Sequence, residues 1–250
     1  MTSVGSGGLD GRVALITGGA RRVGAEIART LHAAGAQVLI HHRASRAAAG
    51  ALVEELNARR PGSALALEAD LLEVQAAPRL VRGTLERFGH LDILVNNAST
   101  FYATPVGRID LAQWEDLMGT NLRAPLFLSQ AAAEALTARR GLILNMIDIH
   151  GLRPLKRFPL YSAAKAGLAM LTRALARELA PAVRVNGIAP GPVLWPESPM
   201  DEALKREIID KTALKRAGSP GDVARAALFF AQDAPYVTGQ ILAVDGGRSI

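Results

Sequence analysis

The sequence predicts one α/β domain over residues 11–250, a doubly wound parallel sheet of seven strands with helices on both faces. Three observations predict it. Short apolar runs rich in Val, Ile and Leu alternate with helical stretches along the whole chain, the rhythm of βαβ units. The runs are apolar at nearly every position, as expected of strands covered on both faces of a sheet. The first run leads at once into a Gly-rich turn and a helix, the order in which a parallel sheet presents a helix N-terminus at its edge.

Taken in order, residues 12–16 form the first strand and end in Thr17-Gly18-Gly19, after which 23–34 carry helical periodicity. A second strand at 38–40 is followed by an amphipathic helix over 47–59, stopped by Pro61-Gly62. A third strand at 64–67 leads into Asp70, and helix returns over 73–88 with Gly89 as its stop. The fourth strand is 93–95. A long helix over about 111–138 bends near Pro125, which lacks the N–H that a regular helix needs. The fifth strand spans 142–147, and the helix carrying Tyr161 runs to Leu179. The last two strands are 183–185 and 241–244, with a helix over 222–231 between them. Residues 190–200 hold four prolines (Pro190, Pro192, Pro196, Pro199) and follow a strand's carboxyl end. Ligands of open α/β sheets bind outside those ends, so a substrate loop is expected over about 190–215. No repeat or change of composition marks a second domain.

Composition narrows the classes of function. The 250 residues are 49% hydrophobic and 21% charged, a globular balance. No apolar run reaches the ~18 residues of a membrane span. Residues 1–10, rich in Gly and Ser, read as a flexible tail without the apolar centre of an export signal, so the expected compartment is the cytoplasm. The absence of cysteine excludes disulfides, thiol catalysis and Cys-ligated zinc, and no metal is expected. Of the 29 basic residues 24 are Arg, scattered over helix faces, and aromatics are only 4%. That pattern speaks for solubility and against a nucleic-acid partner, which would want a basic cluster with aromatics interleaved. Part of the net charge of +6 can serve an anionic cofactor.

The turn Thr17-Gly18-Gly19-Ala20-Arg21-Arg22-Val23-Gly24 lies between the first strand and its helix. Glycines let the backbone approach a pyrophosphate, and the helix start offers unpaired N–H groups. Arg22 stands where G-x-G-x-x-G has a glycine, and its guanidinium can contact pyrophosphate or reach over it toward substrate. Chains that bind NAD usually carry an acid after the second strand for the ribose 2′-OH. Here His41-His42-Arg43-Ala44-Ser45-Arg46 follows, and no Asp or Glu occurs between Glu26 and Glu54. Arg43 and Ser45 suit a 2′-phosphate, with His42 beside them, so the expected cofactor is NADPH. Asp70, with Leu71, can meet the adenine, though Asp70 can equally cap a turn. Asn97, Ala98 and Ser99 follow the fourth strand, where small side chains let the backbone lie close to a ribose. Val23, Pro190 and Gly191 complete the expected cofactor contacts.

Tyr161 and Lys165, four apart, share a helix face. An ammonium beside a phenol favours phenolate, so the Tyr161 pKa is expected to fall toward working pH, as suits a proton donor for carbonyl or imine reduction. Asp148 stands thirteen residues before Tyr161.

Together, Thr17-Gly18…Gly24, Asn96-Asn97-Ala98, Asn121, Tyr161-x-x-x-Lys165, Pro190-Gly191 and Asp245-Gly246-Gly247 resemble the short-chain dehydrogenase/reductase family across residues 11–247. The resemblance implies a Rossmann-type domain, usually a homotetramer, and hydride transfer from nicotinamide with Tyr161 as acid. It also implies that Lys165 binds the nicotinamide ribose and that Asn121 holds a proton-relay water. The chain departs from the family twice. Asp148 replaces a serine, and Asn97-Ala98-Ser99-Thr100-Phe101-Tyr102 replaces the usual Asn-Asn-Ala-Gly. With Arg22 and the run Leu56-Asn-Ala-Arg-Arg-Pro61, these departures resemble the pteridine reductase subgroup. There the pterin stacks between nicotinamide and a Phe at the position of Phe101. The residues at Ser99, Asp148 and Tyr161 contact its polar edge, and the one at Arg22 lies nearby.

The chemistry agrees. A ketone's developing alkoxide wants a neutral hydroxyl donor, whereas a carboxylate would repel it. A C=N bond gains its proton on nitrogen, so Asp148 can relay protons or hold ring N–H donors. Phe101 gives a flat heteroaromatic ring a stacking face. The expected reaction is NADPH-dependent reduction of the C=N of a dihydropterin or dihydrofolate, and also of an oxidised pterin. A 3-oxoacyl thioester or other ketone reductase is the rival within the class. A non-catalytic NADPH-sensing binding protein is the rival outside it.

Overall fold

Strand and helix alternate along the chain: β1 (Val13–Ile16), α1 (Arg22–Ala33), β2 (Gln37–His42), α2 (Arg46–Arg59), β3 (Ala64–Glu68), α3 (Ala76–Phe88), β4 (Ile93–Asn96), α4 (Leu111–Met118), a π-helical turn (Gly119–Arg123), α5 (Ala124–Arg139), β5 (Leu142–Met146), a 3-10 turn (Ile149–Gly151), α6 (Pro159–Glu178), β6 (Arg184–Pro190), α7 (Glu202–Asp210), α8 (Pro220–Gln232) and β7 (Ile241–Val244). The computed structural model describes residues 8–195 and 200–250. Residues 1–7 of the expected tail, and Pro196 and Pro199 of the expected substrate loop, lie outside the described residues.

All seven strands pair in parallel in the order β3-β2-β1-β4-β5-β6-β7. The order reverses between β1 and β4, which opens a crevice at the carboxyl ends of those two strands. Strand alternation divides the core. Ala14 and Ile16 of β1 pack toward α1, α2 and α8, where Ile27, Leu31, Leu56 and Phe230 are buried. Leu15 faces the other layer, with Leu80 of α3, Leu128 and Leu136 of α5 and Ala176 of α6.

Four elements differ from the sequence reading. The helix expected over 111–138 is broken by the π turn, in which the Ala124 N–H bonds the carbonyl of Gly119, five residues back. Pro125 explains the break, because it has no N–H to offer the Asn121 carbonyl one regular turn earlier. β6 runs to Pro190 rather than stopping at 185. Its buried Asn186 donates to the Val237 carbonyl (2.8 Å) and accepts from the Gln240 N–H (3.0 Å), so a polar side chain continues the strand. α3 begins at Ala76 because Asp70 first accepts the Leu72 N–H (2.9 Å) and holds a turn. α7 was not foreseen. Asp201 caps it through the Ala203 N–H (2.9 Å); Leu204 and Ile208 lie four apart on one side of it, yet none of its residues is fully buried. At the other end of the chain Leu9 is already buried, and its N–H bonds the Ala34 carbonyl (2.6 Å).

Candidate active site

The glycine turn is held from two sides. Gly18 has φ 59, and a Cβ there would come within 3.0 Å of the Ala98 Cα, so only glycine fits easily. Asn97 Nδ2 donates to the carbonyls of Thr17 (2.8 Å) and Gly18 (3.0 Å), while Thr17 Oγ1 accepts the N–H groups of Asn97 and Ala98 (both 3.0 Å). On the opposite side Gly18 N–H donates to His41 Nδ1 (3.1 Å). Thr17 and Asn97 thus spend their polar groups on bracing the turn. Val23 and Gly24 lie in the first turn of α1.

Arg22 has φ 55, a left-handed conformation that costs a non-glycine residue about 1–2 kcal/mol. Its Nη2 donates to the Trp195 carbonyl (3.1 Å), which ties the glycine turn to the segment after β6. Beside the turn runs a groove of about 250 Å³. Arg21, His42, Arg43, Ser45, Asp70 and Leu71 line it, with Ala98 and Ser99 on the far wall. Arg46 is paired with Glu68 (2.8 Å), while Arg43 makes no hydrogen bond or ion pair with any described residue. Ser45 sits at the α2 N-cap without using its hydroxyl as a cap. The structure brings these residues together along one groove.

The second cluster lies at the carboxyl ends of β4 and β5. A buried polar chain fixes how α6 sits on the sheet: Asn96 Nδ2 donates to Asn145 Oδ1 (2.8 Å), Asn145 Nδ2 to Thr172 Oγ1 (2.9 Å), and Thr172 Oγ1 to the Leu168 carbonyl (2.8 Å). That placement turns Tyr161 and Lys165 inward, 5% and 2% exposed. Lys165 Nζ donates to the Met146 carbonyl (2.8 Å) and lies 5.7 Å from the centre of the Tyr161 ring. Tyr161 Oη donates to Asp148 Oδ2 (2.8 Å), and Asp148 Oδ1 accepts the His150 N–H (2.8 Å). Asp148 is thus both a cap of the following turn and the direct partner of Tyr161.

This geometry overturns the expected lowering of the Tyr161 pKa. Burial, then the Asp148 charge and its hydrogen bond, hold the phenol well above its ordinary value, against a smaller push the other way from Ser99. A carboxylate in contact outweighs an ammonium whose bond goes to a carbonyl. Burial pushes Lys165 down to about 8, opposed by Asp148.

Asn121 is fully buried at the π turn. Its Oδ1 accepts the Ser99 hydroxyl (2.6 Å), and its Nδ2 donates to the carbonyls of Leu117 (2.9 Å) and Thr100 (3.0 Å). Phe101 is 49% exposed and stacks on Phe158, with centroids 4.6 Å apart and planes 11° apart, while meeting Tyr161 edge-on at 4.8 Å. Sequence reasoning passed over Phe158, although its place three residues before Tyr161, at the start of α6, was a usable signal. Pro190 and Gly191 leave the sheet at the end of β6, the strand beside β5. No helix among the described residues is long and apolar enough to cross a membrane.

Comparison with known proteins agrees with this geometry. The family model described as enoyl-(acyl carrier protein) reductase matches residues 18–249. The chain is 36% identical to pteridine reductase 1 of Leishmania tarentolae, over 95% of this chain and 96% of that protein. It is 35% identical to a 3-oxoacyl-[acyl-carrier-protein] reductase of Synechocystis sp., over 96% and 97%. Among solved structures, a blue fluorescent protein from a metagenomic library, in complex with NADPH, superposes with a TM-score of 0.92 at 35% identity, covering 97% of this chain and 100% of that one. The chain belongs to the short-chain dehydrogenase/reductase family of NAD(P)-dependent oxidoreductases.

Proposed function

We propose that the protein is an NADPH-dependent, pteridine reductase-like oxidoreductase that delivers hydride to the C=N bond of a dihydropterin or dihydrofolate. The observation that carries this reading is the Asp148 carboxylate, 2.8 Å from the Tyr161 hydroxyl. A ketone's developing oxyanion would meet an anion there, whereas a ring nitrogen meets an acceptor for its N–H groups and a phenol to protonate it. The likeness to the Leishmania enzyme supports the reading.

The residues present fit NADPH. His42 Nδ1 is buried beside the groove with no hydrogen-bond partner, a cost that a ligand can relieve. Arg43 and Ser45 would hold the 2′-phosphate, Asp70 and Leu71 the adenine, and the α1 start with Arg21 and Arg22 the pyrophosphate. Lys165 and Tyr161 would hold the nicotinamide ribose, with Pro190 and Gly191 beside the ring. The NADPH bound to the structural neighbour supports this choice. When bound, NADPH supplies the hydride.

The chain's own residues do the rest. Tyr161, kept protonated by burial and Asp148, donates its proton to the ring nitrogen next to the carbon that gains hydride. Lys165, charged below about pH 8, steadies the phenolate that remains until a solvent proton returns. Asp148 accepts ring N–H or amino hydrogens and so orients the pterin. Phe101 and Phe158 form an aromatic shelf for its flat ring. Ser99, held by Asn121, faces the same edge. We further propose a homotetramer, which the exposed Leu126 and Phe127 of α5 and Met170 of α6 support.

The test is loss of NADPH absorbance with 7,8-dihydrobiopterin or dihydrofolate, set against an acetoacetyl thioester. Turnover of the thioester alone overturns the pterin reading. The likeness to the Synechocystis reductase favours that second reading, ketone reduction. The intact set of Asn121, Tyr161 and Lys165 speaks against a merely cofactor-sensing role.

A further inference from the structure

Two consecutive amides of the glycine turn point at one residue of β2. Gly18 N–H donates to the His41 ring at Nδ1 (3.1 Å), and Gly19 N–H donates to the His41 carbonyl (2.9 Å). Across the ring, Nε2 bonds the Ala69 carbonyl (3.0 Å). A carbonyl can only accept, so Nε2 carries the proton and Nδ1 keeps its lone pair for Gly18. The ring is 2% exposed, and burial pushes His41 down to about 4, so it is neutral at working pH and the acceptor is always present.

Gly18, in the turn before α1, and Asp70 and Leu71, which follow Ala69 after β3, all line the groove described above. The His41 ring is bonded to Gly18 and to Ala69, the residue before Asp70. Its neighbour His42 lines the same groove but leaves Nδ1 unpaired. The two histidines therefore divide the work: one offers a ring nitrogen to a ligand, the other spends both nitrogens on the walls. Asn97 holds the Gly18 carbonyl from the far side, so the whole peptide unit is fixed in pitch. With those amides turned toward β2, the N–H groups left to meet phosphate are those at the α1 start.

We propose that His41 is the positioning residue of the cofactor groove. By accepting from Gly18, with the Ala69 bond fixing the tautomer that leaves Nδ1 free to do so, it holds the pyrophosphate turn in place, so that NADPH meets a groove already in shape. The idea rests on the NADPH reading.

Two conservative variants of the full chain separate the ring's two bonds. In His41→Asn the side-chain oxygen reaches about where Nδ1 lies and can still accept from Gly18. In His41→Gln the amide N–H reaches about where Nε2 lies, keeps the Ala69 bond and leaves Gly18 without its acceptor. Fluorescence titration should show the NADPH Kd raised about five- to tenfold in His41→Gln, the worth of one such bond, and within about twofold of wild type in His41→Asn. Melting temperatures measured alongside separate this from general loss of fold, since a purely structural role would weaken binding in step with stability in both variants. Equal Kd values in the two variants, whether both like wild type or both raised, overturn the proposal. A second readout needs no variant and no nucleotide: nitrogen-15 NMR of the wild-type histidines. It should show one ring fixed as the Nε2–H form that does not titrate near neutral pH. A His41 ring protonated at Nδ1, or titrating as a free imidazole does, overturns the proposal as well. Failure of the NADPH reading looks different, because wild type then prefers NADH or binds neither. In the first case the ratio between the variants is read with NADH, and in the second the NMR result decides.

Discussion

Replacing Asp148 by Asn removes one charge and keeps the shape. The Asn oxygen can still accept the His150 N–H, now 2.8 Å from Asp148 Oδ1, so the turn at Ile149–Gly151 keeps its cap. What changes is the other oxygen, which accepts the Tyr161 hydroxyl at 2.8 Å beside a ring only 5% exposed. In the proposed complex this carboxylate accepts ring N–H or amino hydrogens of the pterin, and a hydrogen bond to an ionised, desolvated partner is worth about 1.5–3 kcal/mol. At about 1.4 kcal/mol per factor of ten, Asp148→Asn should reduce dihydropterin about 10- to 150-fold more slowly than wild type. NADPH affinity should change little. The Tyr161 phenol should also ionise at lower pH than in wild type, because two of the three causes that hold it up come from Asp148. The chain has three tyrosines, so difference absorbance titration against Tyr161→Phe isolates this one. An unchanged rate with dihydropterin, together with an unchanged phenol titration, would refute the reasoning and leave Asp148 as a loop cap.

Tyr161→Phe should lower turnover by about 10²- to 10⁴-fold with NADPH affinity nearly intact, and unchanged turnover would remove it as the acid. Lys165 is a cation below about pH 8 and neutral above, so kcat/KM should fall as pH rises through that value; a profile flat across the alkaline range would show that its charge is not needed. Arg43→Ala should weaken NADPH about 10- to 100-fold and NADH hardly at all, as compared by titrating both nucleotides; equal losses for the two would mean that Arg43 does not read the phosphate. Phe101→Ala should raise KM for dihydropterin about 2- to 10-fold, measured in steady-state kinetics, and leave the NADPH KM alone; an unmoved pterin KM would take Phe101 out of the shelf.

Most strands were legible because a strand covered on both faces must be an apolar run, whereas β6, interrupted by Asn186 and Gly187, was legible only at its start. α7 was harder to read, because its apolar pair Leu204 and Ile208 spans little more than one turn and follows directly on a proline-rich loop. The expectation placed on His42, Arg43 and Ser45 came from a missing acid, a local signal, and all three line one groove. His41 could not be separated from His42, since two adjacent imidazoles look alike until the register with β1 and β3 shows which nitrogen meets which carbonyl. The Tyr161 environment was misjudged for a related reason. The spacing to Lys165 is local and visible, whereas the Asp148 contact and the Met146 carbonyl that takes the ammonium are made by folding. Arg22 departs from the glycine-turn pattern in the sequence, but neither its left-handed backbone nor its reach to Trp195 follows from its neighbours.

The π turn at Gly119–Arg123 limits how this enzyme can be made more robust. Deleting one residue there and replacing Pro125 would give a continuous regular helix from α4 into α5, an attractive change for heat tolerance. At about 100° of rotation per residue, the same edit would swing Asn121 out from under Ser99 and Thr100. A regularised variant should therefore melt later and turn over more slowly, which makes this irregular segment the wrong place to tidy the fold.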